Sequence, residues 1–182
     1  GVRWWALLAP LAYLLGTFPS ADLVARAAGI DIHTSGSGNP GASNVSRTLG
    51  WRKGVMVFVL DALKGVVATL VGLGVGGRAG GYVLGIAAVV GHIFPAMRRF
   101  RGGKGVASAG GVTLTLHPLV GLCVLAIWGV LSRLTGKAAI ASLIAVVATP
   151  VGVAISGRPA WEALTMAGLA ALLVARHAGN IK

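Results

Sequence analysis

The sequence predicts an all-α, polytopic integral membrane protein with seven transmembrane helices, one of them short. Three observations carry that prediction. Hydrophobic residues make up 55% of the 182 residues and charged residues 11%, where soluble domains average about 25% charged. Mean hydropathy is +0.84, and the apolar residues fall in runs about as long as the ~20 residues a helix needs to cross a bilayer. The 29 glycines suit helices whose backbones approach closely in lipid. Residues 1–182 read as a single membrane domain.

The first span runs from about Trp4 to Val24, with Trp4 and Trp5 in the interfacial belt and Pro10 and Pro19 as kinks. It lacks an A-x-A cleavage site and stays apolar for a full span, so it reads as a retained helix. The second runs from about Gly54 to Val75, the stretch Gly76 to Gly81 is a tight turn, and the third runs from about Tyr82 to Met97. The apolar region from Val106 to Leu134 is longer than one crossing requires, and His117-Pro118 falls inside it. It is either one overlong kinked helix or a short span followed by a full one. Spans from about Ala138 to Ile155 and Trp161 to Arg176 complete the chain.

The cations decide between the two readings. With the region split, Arg26, Arg47, Arg52, Lys53, Arg98, Arg99, Arg101, Lys104, Arg133, Lys137, Arg176 and Lys182 share the inner face. Only Arg3, Arg78 and Arg158 lie outside, and Lys64 is within the membrane. Unsplit, Arg133, Lys137, Arg176 and Lys182 move outside while Arg158 moves in. The positive-inside rule therefore favours seven spans and puts the glycine-rich basic loops on one face.

Two of those loops point to chemistry. His33 to Lys53 reads HTSGSGNPGASNVSRTLGWRK, with no carboxylate after Asp31. Gly36, Gly38, Gly41 and Asn44 tolerate bent or left-handed backbone, which can aim several N–H groups at one anion. Ser37, Ser43 and Ser46 add hydroxyls, and Arg47 adds a guanidinium fork matched to phosphate oxygens. The literal G-x-G-x-x-G from Gly36 to Gly41 is not a dinucleotide fingerprint, because no strand pattern precedes it and Pro40 lies within it. The competing reading is a basic loop that only sets topology.

The second loop follows Gly91-His92-Ile93-Phe94-Pro95 and reads Phe100-Arg101-Gly102-Gly103-Lys104-Gly105. Its glycines flank Lys104 where the short helix should begin, and a helix N-terminus attracts anions. Lys104 is followed by Gly105, so this is no Walker A loop. At the C-terminal membrane edge, His177 and Asn180 lie three apart and can share a helix face. Ser142, near the cytoplasmic end of its span, is by default a packing serine.

Asp61 and Lys64, three apart within the second span, are expected to face the bundle interior as an ion pair. His92 is a polar site candidate, while His33 and His117 are expected at interfaces. The net charge of +12 lies in short loops between apolar spans and has no aromatic RNA-binding pattern beside it. It therefore points to anionic lipid or substrate and not to nucleic acid. Cys123 is the single cysteine, and no His/Cys/carboxylate cluster has metal-ligand spacing, so neither a metal nor another cofactor is expected.

In this order and spacing, Ser37-Gly38-Asn39-Pro40-Gly41-Ala42-Ser43-Asn44-Val45-Ser46-Arg47, the block from Gly91 to Gly105, and His177-x-x-Asn180-Ile181 resemble the PlsY family. These are the acyl-phosphate-dependent glycerol-3-phosphate acyltransferases of bacteria, and Asp61-x-x-Lys64-Gly65 is also similar to a family motif. The resemblance covers nearly the whole chain. It implies a multi-pass inner-membrane enzyme, expected as a monomer, with its site facing the cytoplasm. It would transfer an acyl group from acyl phosphate to the 1-hydroxyl of glycerol 3-phosphate. By motif, Ser37, Arg47, Lys104, His177 and Asn180 would be catalytic. Gly38, Asn39, Gly41, Ser43, Asn44, His92, Gly102, Gly103, Gly105 and Ser142 would bind substrate. Gly179 stands where many members carry Glu, and Ser43 where Thr is common. A small anion transporter is the alternative, with the Asp61–Lys64 pair near the midplane.

Overall fold

The computed structural model describes residues 3–178, and no strand occurs among them. Eight α-helices follow in order: α1 Ala9–Gly16, α2 Ser20–Ala27, α3 Ala42–Leu49, α4 Trp51–Ile93, α5 Val106–Leu116, α6 Pro118–Thr135, α7 Ala138–Ile155 and α8 Ala160–Ala178. They form seven membrane segments. A short 3-10 turn with α1 and α2 makes the first, α4 makes two, and α5 to α8 make one each. The chain divides into two compact units, Gly1–Val112 and Thr113–Lys182.

In the first unit, α4 is 43 residues long, at 1.5 Å per residue about twice what one crossing needs. It is two helices joined at Gly76 and Gly77. Gly77 has φ 57° and ψ −152°, a combination open essentially to glycine alone. The reversal expected over Gly76 to Gly81 is therefore confined to two residues, and helix resumes at Arg78. The halves run antiparallel, with Gly72 against Gly80 and, further along, Gly85 against Thr69. A methyl group at Gly72 or Gly80 would strike the other's carbonyl, so this approach depends on the missing side chains.

The first span is broken where Pro19 lacks an N–H, between Thr17 and Ser20, and extends to Ala27 rather than Val24. Its α1 lies directly on the second half of α4, where Gly16 meets Ala88 and Gly91 meets the Tyr13 carbonyl. The first half of α4 meets α5 through Gly65 on Ser108 and Gly111 on Ala62.

The region from Val106 to Leu134 is split as the cation count requires, with His117 between α5 and α6. The 11 residues of α5 reach only ~16 Å, half the hydrocarbon thickness. In the second unit, α6 packs on α7 and α7 on α8. Leu119, Leu134, Val151 and Ile155 are exposed, as lipid-facing side chains should be. Pro150 sits inside α7. His117 is not at an interface as expected. It is buried, with Nε2 3.2 Å from Glu162 Oε2, a contact that local sequence pattern does not signal.

Candidate functional site

The first glycine-rich loop is wrapped around one side chain. Asn44, in the first turn of α3, is 1% exposed. Its Oδ1 accepts from the Ser37 amide at 2.9 Å, and its Nδ2 donates to the Ser35 carbonyl at 2.9 Å and the Ile32 carbonyl at 3.4 Å. A loop of this kind cannot use a ladder, so its buried polar groups must be satisfied by a neighbour. Gly36 and Gly38 have φ of 59° and 69°, and a side chain on Gly36 would collide with the Asn44 amide. Asn44 is thus committed to holding the loop.

One turn along α3, the exposed Arg47 donates from Nη2 to Ser37 Oγ at 3.3 Å. A guanidinium can only donate, so the serine oxygen is the acceptor and its own O–H is left to point elsewhere. Ser43 is exposed, whereas Gly38, Asn39 and Gly41 are half-buried.

The second loop begins where α4 ends. Tyr13 from α1 stitches it in place, its hydroxyl donating to the Phe94 carbonyl at 2.7 Å and accepting from the Ala96 amide at 2.9 Å. Arg99 and Phe100 adopt left-handed φ of 52° and 60°, an uncommon state for residues with a Cβ. Gly102 and Gly103 then fold back over the end of α4. The Gly103 amide donates to the His92 carbonyl at 3.2 Å. A methyl on Gly102 would enter that carbonyl, and one on Gly103 would enter the His92 ring at Nε2. Gly105, with φ 81°, starts α5 and leaves Lys104 half-buried between glycines.

The two loops touch. A Cβ on Gly103 would lie 3.1 Å from the Pro40 carbonyl of the first loop, so Ser37–Arg47 and the Lys104 turn belong to one surface of the first unit. They also share a support that sequence reasoning missed. Asp22 of α2 is 7% exposed. It binds His33 Nε2 through Oδ1 at 2.7 Å and Arg98 Nη1 through Oδ2 at 2.8 Å. Arg98 Nη2 also donates to the Thr17 carbonyl at 2.9 Å. One carboxylate therefore clamps the start of the first loop to the start of the second. The available signal was scarcity, since the chain has four acidic residues against sixteen cations and each acid is a strong prior for a partner.

Beneath the second loop lies the expected buried pair, with Lys64 Nζ 2.8 Å from Asp61 Oδ1. Lys64 also reaches His92 Nδ1 at 3.1 Å and the Phe18 carbonyl at 3.0 Å. In the second unit, Ser142 Oγ accepts from Trp128 Nε1 at 3.0 Å. His177 is buried, with Nδ1 2.7 Å from the Leu173 carbonyl. A carbonyl only accepts, so that nitrogen carries the proton and Nε2 is the basic nitrogen of the neutral ring. Asn180 lies outside the described residues.

A helical membrane protein with two touching, amide- and cation-rich loops is one suited to anionic headgroups. Comparison with known proteins makes the class specific. A family model described as Glycerol-3-phosphate acyltransferase matches residues 6–182. A protein of that name from Rubrobacter xylanophilus is 41% identical over 180 residues, covering 97% of this chain and 89% of the relative. One from Thermus thermophilus is 41% identical, covering 98% and 89%. The crystal structure of PlsY, an integral membrane glycerol 3-phosphate acyltransferase, in its glycerol 3-phosphate form superposes with a TM-score of 0.91 at 34% identity. It covers 100% of this chain and 90% of that one. The lysophosphatidic acid form gives 0.87 at 35% identity, with the same coverage.

The chain belongs to the glycerol-3-phosphate acyltransferase family, PlsY, as its motifs suggested. It is an acyltransferase and a multi-pass membrane protein, and the transporter alternative falls.

Proposed function

We propose that the acyl donor is acyl phosphate and that the acyl group passes to the 1-hydroxyl of sn-glycerol 3-phosphate. The products are lysophosphatidate and inorganic phosphate, the entry to phospholipid synthesis. The reaction takes place at the cytoplasmic face of a bacterial inner membrane, with the chain acting as a monomeric single domain. The observation that carries the reading is the contact between the Ser37–Arg47 loop and the Lys104 loop, through Pro40 and Gly103. Two anion cradles in contact can hold two anionic substrates with their reacting ends together.

The hydroxyl oxygen attacks the acyl carbonyl carbon. A new C–O ester bond forms, the bond from that carbon to the phosphate oxygen breaks, and the hydroxyl proton leaves with the phosphate or goes to His177 Nε2. Phosphate is a good leaving group, so positioning and charge neutralisation supply most of the acceleration. Arg47 and Lys104 hold the phosphates. Ser37, its oxygen fixed by Arg47, turns its O–H toward the reacting carbonyl. Gly38, Asn39, Gly41, Gly102, Gly103 and Gly105 supply close backbone, and Asn44 keeps the first loop in shape. Ser43, His92 and Ser142 contact substrate, and Asn180 works with His177. The inner-face orientation follows the cation distribution.

The test is phosphate release and lysophosphatidate formation by the full chain in proteoliposomes, with acyl phosphate set against acyl thioesters. Acyl phosphate alone should support turnover. Lys104→Ala should lower kcat/KM by roughly 100-fold, as loss of a charge-assisted phosphate contact implies. Unchanged kinetics in that variant, or turnover only with thioester, would reject the reading.

A further inference from the structure

The buried Asp61–Lys64 pair has a role beyond filling the bundle. A lysine ammonium has three N–H donors and no acceptor. Lys64 has three acceptors around it: Asp61 Oδ1 at 2.8 Å, the Phe18 carbonyl at 3.0 Å and His92 Nδ1 at 3.1 Å. Phe18 lies at the break between α1 and α2, where its carbonyl accepts from the Ser20 amide at 3.0 Å and Lys64 adds a second donor. The third donor fixes His92, because Nδ1 can meet an ammonium only as an acceptor. The competing arrangement, Nδ1–H donating to Asp61, would span 3.6 Å, too far for a hydrogen bond. The ring proton is therefore on Nε2.

Nε2 points up into the second loop. It occupies the space a Gly103 side chain would fill, and the Pro40 carbonyl borders that space. The His92 side chain is 8% exposed. The contacts to Lys64 and Asp61 are all made by Nδ1 and leave Nε2 on the loop side. A donor placed against Gly103 and Pro40 faces the meeting point of two anion-binding loops, where an oxyanion would accept from it.

We propose that Lys64, set by Asp61, is a positioning residue that holds His92 as the Nε2–H tautomer. His92 is then a hydrogen-bond donor to a substrate oxyanion seated on the Gly102–Gly103 loop and never the base of the reaction. This extends the acyl-transfer reading above. The oxyanion belongs to either phosphate substrate.

The experiment is nitrogen NMR of the full chain in lipid nanodiscs with 15N-labelled histidine, His92 being assigned by its loss in His92→Gln. The expected result is a neutral ring with Nε2 protonated and Nδ1 not, and an Nε2–H resonance that moves on adding glycerol 3-phosphate or inorganic phosphate. A ring protonated at Nδ1, or at both nitrogens, overturns the proposal. The charge-removing double variant Asp61→Asn/Lys64→Met leaves no uncompensated buried ion. It should mix the two tautomers and raise KM for one phosphate substrate roughly tenfold with kcat nearly kept. The substrate whose KM moves identifies the oxyanion. A folded double variant with the wild-type tautomer and both KM values unchanged also overturns the proposal, and if that variant does not fold, the wild-type tautomer decides. Should the wild-type chain make no lysophosphatidate, the acyl-transfer reading falls while the tautomer measurement still stands by itself.

Discussion

The two glycine-rich loops look alike in sequence and are held in opposite ways. The first is shaped by a side chain that is present. Asn44 satisfies three backbone groups of the loop from its centre, and the glycines around it provide left-handed turns. The second is shaped by side chains that are absent. Gly102 and Gly103 lie flat on the end of α4 because any Cβ there would enter the His92 carbonyl or ring. The first loop should therefore be sensitive to deletion and the second to addition. That difference matters for function, since a hydrogen-bonded loop can adjust around a substrate while one pressed on a helix end offers a fixed floor.

Asn44→Ala should have the largest effect. It removes the side-chain partner of the Ser37 N–H and of the Ser35 and Ile32 carbonyls, each unsatisfied buried group costing about 1–3 kcal/mol. A loss of about 3 kcal/mol of stability is expected by thermal unfolding in detergent. Because Ser37 loses its anchor, kcat should fall more than KM rises. If Asn44→Ala leaves stability and turnover intact, the first loop does not depend on its central amide and the contrast is wrong.

Gly102→Ala comes next. The added methyl meets backbone, not a flexible side chain, so the loop must lift off α4, a strain of about 1–3 kcal/mol. The expected reading is a raised KM for a phosphate substrate with secondary structure retained. The same change at Gly36, against the Asn44 amide, would test whether the loops differ in kind. It should disturb the first loop's hydrogen bonds, while Gly102→Ala leaves them in place.

Much of this was legible in the sequence, and what was not had a physical reason. Apolar run lengths and cation placement gave the seven spans, including the split at His117, because hydrocarbon thickness and membrane orientation act directly on composition. The Asp61–Lys64 pair followed from the cost of charge in lipid. The extent of the Gly76 reversal was missed, because a glycine-rich run interrupted only by Arg78 and Ala79 is compatible with either turn or helix, and the Gly76–Gly77 backbone and the Gly72–Gly80 contact settle it. The burial of His117 was missed because its partner Glu162 lies far away in the sequence. The roles of Asp22 and Arg98 were hidden because they join positions 76 residues apart, a separation at which local pattern carries no information.

Asp22 is where the contrast between the loops gives way to a shared support, and its variant should have the smallest effect of the three. Asp22→Asn keeps shape and volume but replaces one acceptor oxygen by an N–H donor and removes the charge facing Arg98. The Arg98 side chain is 22% exposed, so water compensates in part and a loss of about 1–2 kcal/mol is expected. Asp22 touches the first loop through His33 and the second through Arg98, so KM for acyl phosphate and for glycerol 3-phosphate should rise together, each several-fold. Arg98→Gln, which leaves the Asp22–His33 contact, should disturb only the substrate held on the second loop. If Asp22→Asn moves one KM and not the other, the carboxylate is no clamp, and the loops are independent supports that happen to touch at Pro40 and Gly103.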